Sequence, residues 1–236
     1  MGIILHRSHT RGHVNHGWLD SHHTFSFAGY FNPERVHFGA IRVFNDDVVK
    51  GGTGFGTHPH ANMEIVSIPL SGALEHKDST GRHKIIKTGE VQIMSAGTGI
   101  EHSEYNASKD LDVNFLQIWI LPDKMNIKPR YDQREFPLGR KKNELINVVA
   151  PDSDEALWIN QRTWFYLGQF EKEQDISYKV NETGNGLYLF VIDGEVEVAD
   201  HHLKMRDAMG ITDINTLKIK SVSNTKLLLI ETTLKV

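Results

Sequence analysis

The chain contains no cysteine, which excludes disulfides, thiolate zinc sites, iron–sulfur clusters and cysteine nucleophiles. No apolar run approaches the roughly 20 residues that span a bilayer as a helix. The opening Met1-Gly2-Ile3-Ile4-Leu5-His6-Arg7 has too short an apolar stretch for a signal-peptide core. These absences point to a cytoplasmic protein with no membrane role. Charge is not concentrated either: 26 Lys and Arg face 30 Asp and Glu, a net charge of −4. Without a basic stripe, no direct contact with nucleic acid is expected. Long segments with apolar residues at helical spacing and caps at both ends are also missing. Only Pro151 to Leu157, with Asp152 as N-cap, reads as a helical turn.

What the chain does have is strands. Val36–Phe44, Met63–Ile68, Val113–Ile120 and Trp164–Gly168 are rich in β-branched and aromatic residues and bounded by turn residues, the pattern of a sandwich or barrel. One pattern also occurs twice. Ile68–His76 followed by Ile85–Met94, and Phe190–Val198 followed by Leu203–Ile211, each read strand, glycine turn, strand, turn, strand. A unit used twice predicts two similar β-domains. Pro122, Pro129 and Pro137 mark a linker between them. The expected division is 1–121, a linker over 122–143, and 144–236.

Of the 14 histidines, all but His201 and His202 lie at or before His102. His58-Pro59-His60 and His102-Ser103-Glu104 each place two metal-binding groups at i and i+2, which a strand points to one face. Gly51-Gly52-Thr53-Gly54-Phe55-Gly56 precedes the first and Gly97-Thr98-Gly99 the second. Strands returning from such turns can bring three imidazoles and a carboxylate together, an N/O site suited to Fe, Mn, Ni, Cu or Zn. His201 and His202 are adjacent and face opposite ways on a strand, so the second domain is expected to be metal-free. The early histidines, His6, His9, His13, His16, His22 and His23, are spaced for a helix face that Gly12 and Gly17 interrupt, and read mainly as surface groups.

Gly52, His58, His60, Glu64 and Gly72, then Gly89, His102 and Asn106, resemble the two motifs of the cupin superfamily. Ser95 stands where the second motif usually has proline, and the approach to His102 is longer than usual. Those departures, with His23-Thr24-Phe25-Ser26-Phe27, Phe55 to His60, Met94 to Ile100 and His102 to Asn106, look like the pirin family over the N-terminal half. Trp18-Leu19-Asp20-Ser21 and Gln117-Ile118-Trp119 bring the chain nearest to bacterial pirin-like proteins with quercetinase activity.

That resemblance implies an all-β bicupin: two β-barrels of double-stranded β-helix type, face to face, with minor helix. It implies one divalent metal in the first barrel, held by His58, His60, His102 and Glu104. Fe(II) is the first choice for O₂ chemistry, with Mn, Ni, Co, Cu or Zn as the other candidates. Glu64, at the place of the carboxylate ligand of many other cupins, becomes a residue that orients the ligands or part of a hydrogen-bond network. Glu104 is also the expected catalytic base, Phe25, Phe27, Phe55 and Met94 are candidates for the pocket wall, and His22 or His23 for a residue that supports the ligands. The implied activity is that of an oxidoreductase, a quercetin 2,3-dioxygenase opening a flavonol ring with O₂ and releasing carbon monoxide. Its partners would be a flavonol-like small molecule and O₂. The rival readings are a metal-dependent redox sensor that co-regulates transcription through a protein partner, and another cupin oxygenase.

Overall fold

The structure, a computed structural model, describes residues 1–235. Strand sequences dominate, and the strands assemble into two seven-stranded and two four-stranded sheets. In one seven-stranded sheet the order is Arg130–Glu135, Glu90–Ser95, Glu64–Ser71, Val113–Ile120, Ile41–Val49, Leu19–His23 and Gly12–Asn15. Its counterpart runs Gly2–His6, Ala208–Thr212, Gly186–Asp193, Thr225–Thr232, Thr163–Phe170, Leu145–Ala150 and Leu157–Trp158. Gly54–His60, Ile100–Asn106, Ala73–Asp78 and His83–Lys87 form one four-stranded sheet. Asp175–Lys179, Thr216–Ser221, Glu195–Val198 and His201–Lys204 form the other. The repeat read from the sequence is therefore a repeat of architecture, seven strands over four in each half.

The four sheets stack as layers, four, seven, seven, four. The two large sheets share a central core that includes Phe44, Leu116 and Ile118 from one and Phe165, Tyr188, Phe190 and Leu228 from the other. Their opposite faces are covered by the small sheets. Strands such as Val113–Ile120 and Gly186–Asp193 are thus buried on both faces, which explains their near-continuous apolar sequences. Each half is an open, flattened barrel; among the described residues no sheet closes on itself.

Strand pairing crosses the expected domain division twice. Gly2–His6, from the N-terminus, pairs antiparallel with Ala208–Thr212 of the second half. Arg130–Glu135, inside the expected linker, pairs with Glu90–Ser95 of the first. Each half thereby gains an edge strand from outside its own stretch of sequence. The helical turn expected near Pro151 to Leu157 is absent. Asp152 accepts hydrogen bonds from Trp164 Nε1 and an Arg162 guanidinium nitrogen instead of capping, and Leu157 joins a parallel pairing with Val149. The helix among the described residues is the short 3₁₀ turn Ser8–Thr10. None of the described helix is long and apolar enough to cross a membrane.

His6 ends the crossing strand, and its Nδ1 lies 2.9 Å from the Tyr188 hydroxyl. Burial, reinforced by Arg35 and Arg11, pushes the imidazole down to about 4. The unfolded chain therefore takes up this proton first, near pH 6.5, and stability falls as pH drops from there through 4. Wild-type protein is expected to lose up to about 3 kcal/mol more than His6→Gln over that window. Paired urea titrations at pH 7 and pH 4.5 measure the difference; equal losses would reject the assignment.

Candidate metal centre

The two halves differ in what fills them. Inward positions of the second form one apolar cluster, in which Ile176 pairs with Ile219 and Tyr178 with Leu217, and the buried Glu231 carboxylate there accepts from Tyr178 and Asn185. The first half splits into two smaller apolar clusters, one around Leu74 and Phe115 and one around Ile65 and Met94. Between them runs a polar row along the inner face of the large sheet. His23 stands opposite Asn45, Asn45 opposite Gln117, Gln117 opposite Ser67 and Ser67 opposite Gln92.

Facing this row are the strands Gly54–His60 and Ile100–Asn106 of the small sheet. Ile100, His102, Glu104 and Asn106 are buried and alternate with more exposed neighbours, the period of a strand with one covered face. His58 pairs directly with His102, and the register then slips so that Phe55 stands opposite Glu104. Such a bulge re-aims side chains, and it lies in the segment that carries the ligand candidates.

His58, His60 and His102 each offer a ring nitrogen to a cluster whose atoms lie within 4.8 Å of one another. His58 Nδ1 donates to the Gly56 carbonyl at 2.7 Å, which leaves its Nε2 as the free lone pair. That Nε2 is 3.0 Å from Nε2 of His102. Two nitrogens at right angles on one cation, each about 2.1 Å away, would be about 3.0 Å apart. Burial, then the neighbouring imidazoles, pushes His60 down to about 4 and His102 down to about 3. Neutral imidazoles are what a metal requires. The donor set fits a divalent transition metal.

Glu104 falls outside this 4.8 Å trio. Its side chain is buried, with Oε1 accepting from Ser67 Oγ at 3.1 Å and Oε2 from the Gln117 amide. Gln117 is held in turn by Trp119 Nε1 at 3.3 Å. Trp119 meets His60 edge-on at 4.9 Å, and Phe27 packs on Trp119 at 5.3 Å. Met94 shares its cluster with Trp119 and Tyr131, and Phe55 packs on Trp18. His23 Nδ1 donates to Asn45 Oδ1 at 2.9 Å, at the end of the polar row.

Contacts place two of the candidates away from the histidine cluster. Glu64 faces the other side of its strand: its carboxylate accepts from Ser95 Oγ at 2.8 Å and from the Asn160 backbone of the second half at 3.2 Å. Burial raises it to about 7. It belongs to a hydrogen-bond network that ties the halves together. Phe25 lies past the end of strand Leu19–His23, where alternation stops, and packs against His6 and Tyr188 in the central core.

Sequence reasoning passed over Asn45, Ser67, Gln92 and His76. His76 lies directly opposite Glu104, its Nε2 3.0 Å from Asp78, and its ring neighbours His102 at 5.3 Å. The available signal was phase: each is a polar residue in step with apolar inward positions, as Gln117 is between Phe115 and Trp119.

Two seven-over-four units back to back, with a three-histidine centre in one of them, define a bicupin metalloprotein. The family description Pirin matches residues 5–120, and Quercetinase C-terminal cupin domain matches 147–232. The chain belongs to the pirin family. It is 41% identical to a quercetin 2,3-dioxygenase of Escherichia coli O157:H7 over 97% of this chain and 98% of that protein. The crystal structure of YhhW from Escherichia coli superposes with a TM-score of 0.95 at 40% identity, covering 100% of this chain and 99% of that one. The bacterial pirin YhhW in complex with nickel(II) does so at 0.94 and 39%, with 100% of both chains covered.

Proposed function

We propose that the protein is a mononuclear metal-dependent dioxygenase of the quercetin 2,3-dioxygenase type, with His58, His60 and His102 holding the metal and Glu104 as further ligand and base. The observation that carries this reading is the placement of Glu104. A buried carboxylate lies on the same strand face as His102, next to a cluster of three imidazoles, and among the described residues the other barrel brings no such histidine cluster together. Relatives named quercetin 2,3-dioxygenase and a nickel-bound pirin support it.

A bound divalent metal would supply a Lewis acid that lowers the pKa of a hydroxyl presented to it and a centre for O₂ chemistry; Fe(II) is our preferred ion. The rest falls to the chain. Ser67 and Gln117 hold the Glu104 carboxylate in orientation, ready to take the proton of a flavonol 3-hydroxyl. Trp119 and Phe27 offer flat apolar surface to a planar aromatic ligand. The Gln92 amide is fully buried, and neither its nitrogen nor its oxygen has a partner in the protein. A polar substrate reaching the row would satisfy it. His60 also lines an open surface depression with Pro59 and Ile100, giving the centre a side exposed to solvent.

The test is anaerobic loading with Fe(II), Mn(II), Co(II), Ni(II) or Cu(II), each followed by quercetin and O₂ with carbon monoxide detection. Loss of the flavonol band with carbon monoxide release is expected for at least one metal. Glu104→Gln should keep bound metal but lose at least about 100-fold in turnover, the usual worth of a positioned base. Unchanged turnover in that variant would remove Glu104 from the chemistry. Tight metal binding with no turnover for any ion would favour the redox-sensing reading.

A further inference from the structure

The early histidines that the helical reading left as surface groups meet on a hairpin. Gly12–Asn15 is the edge strand of the first large sheet and pairs with Leu19–His23. The register sets His13 directly opposite His22 and Asn15 opposite Asp20. The two imidazoles stack at 4.4 Å with 14° between their planes. His13 Nε2 lies 2.9 Å from Asp20 Oδ1, and His22 Nδ1 lies 3.6 Å from the same oxygen. Asn15 Nδ2 donates to the other carboxylate oxygen at 2.9 Å and so turns Oδ1 toward the rings.

We propose that His13, Asp20 and His22 form a second site for a divalent transition metal, separate from the three-histidine centre. One donor atom from each lies within 4.8 Å of the others. Two imidazoles and a carboxylate suit Cu²⁺, Ni²⁺ or Zn²⁺. The side chains are 52%, 38% and 43% exposed, so water completes the coordination and the ion exchanges readily. The site also has a mechanical consequence. His22 alternates with Ser21 and His23, which point inward to Asp47 and Asn45. A cation on the outer face clamps the hairpin that supplies one end of the polar row.

The experiment is equilibrium dialysis of the full-length protein against Zn²⁺, with bound metal counted by mass spectrometry. Wild type should hold two equivalents, and His58→Ala/His102→Ala should keep one of them. His13→Asn/His22→Asn should lose the weaker equivalent and retain the tighter one, which also reports an intact fold. Asp20→Asn should weaken the second equivalent at least about tenfold. The proposal is overturned by one equivalent in wild type at sub-millimolar free Zn²⁺, or by a second equivalent indifferent to the His13/His22 exchange. Should the double variant lose both, Asp20→Asn decides in the same terms. Flavonol turnover plays no part in the readout, so the outcome is independent of the proposed dioxygenase activity.

Discussion

Replacing His58 or His102 with alanine is expected to lower affinity for the metal of the three-histidine centre by about two to three orders of magnitude. Apparent binding free energies of about 10–16 kcal/mol for four-donor sites come to about 3 kcal/mol per donor. Fold should survive, because the central core and the second half's core contain neither histidine. His202→Ala is the control: that ring pairs with Glu195 at 2.8 Å on the surface of the other half. Metal content after dialysis, with far-ultraviolet dichroism, tests all three. Metal content undiminished from wild type in both His58→Ala and His102→Ala would reject the site, as would metal loss in His202→Ala.

The largest effect on stability is expected at Tyr188. Its ring is fully buried between the two large sheets and packs against Phe25, Phe38 and Phe44, at centroid distances of 5.5 to 5.8 Å. Truncating a large buried aromatic side chain removes transfer energy and leaves a cavity, so Tyr188→Ala should cost about 3–5 kcal/mol. For a chain of this size that corresponds to a fall in Tm of roughly 6–20 °C. Tyr188→Phe keeps the ring and gives up only the hydroxyl at 2.9 Å from His6, a loss of about 0.5–1.5 kcal/mol. The contrast separates packing from hydrogen bonding in holding the halves together. Calorimetry measures both variants; a Tyr188→Ala cost below that of Tyr188→Phe would mean that the halves are not joined through this core.

Both experiments act on residues whose local sequence says different amounts about their place. His58, His60, His102 and Glu104 announce themselves, because an i, i+2 pair on a strand must share a face whatever the strand packs against. Tyr188 sits in a run, Leu187-Tyr188-Leu189-Phe190-Val191, that is apolar on both faces. Its sequence shows burial but not which layer lies on which side. Glu64 shows the opposite failure: it occupies a family motif position, yet the phase of its strand turns it toward Asn160 of the other half.

Composition and periodicity by themselves determined an all-β chain with one architectural unit used twice and the candidate histidine ligands in the first copy. These are local properties: alternation, turn residues and spacing are written within ten residues of one another. Tertiary structure alone decided the rest. It brought Gly2–His6 into the large sheet of the second half and the linker segment Arg130–Glu135 into that of the first, aligned His23, Asn45, Gln117, Ser67 and Gln92 into one row, and set His13 against His22. Each of these depends on strand register between segments, up to about 200 residues apart for Gly2 and Thr212. Register is fixed by the burial of whole faces and not by any short string, because a slip of one residue would turn every side chain to the other side.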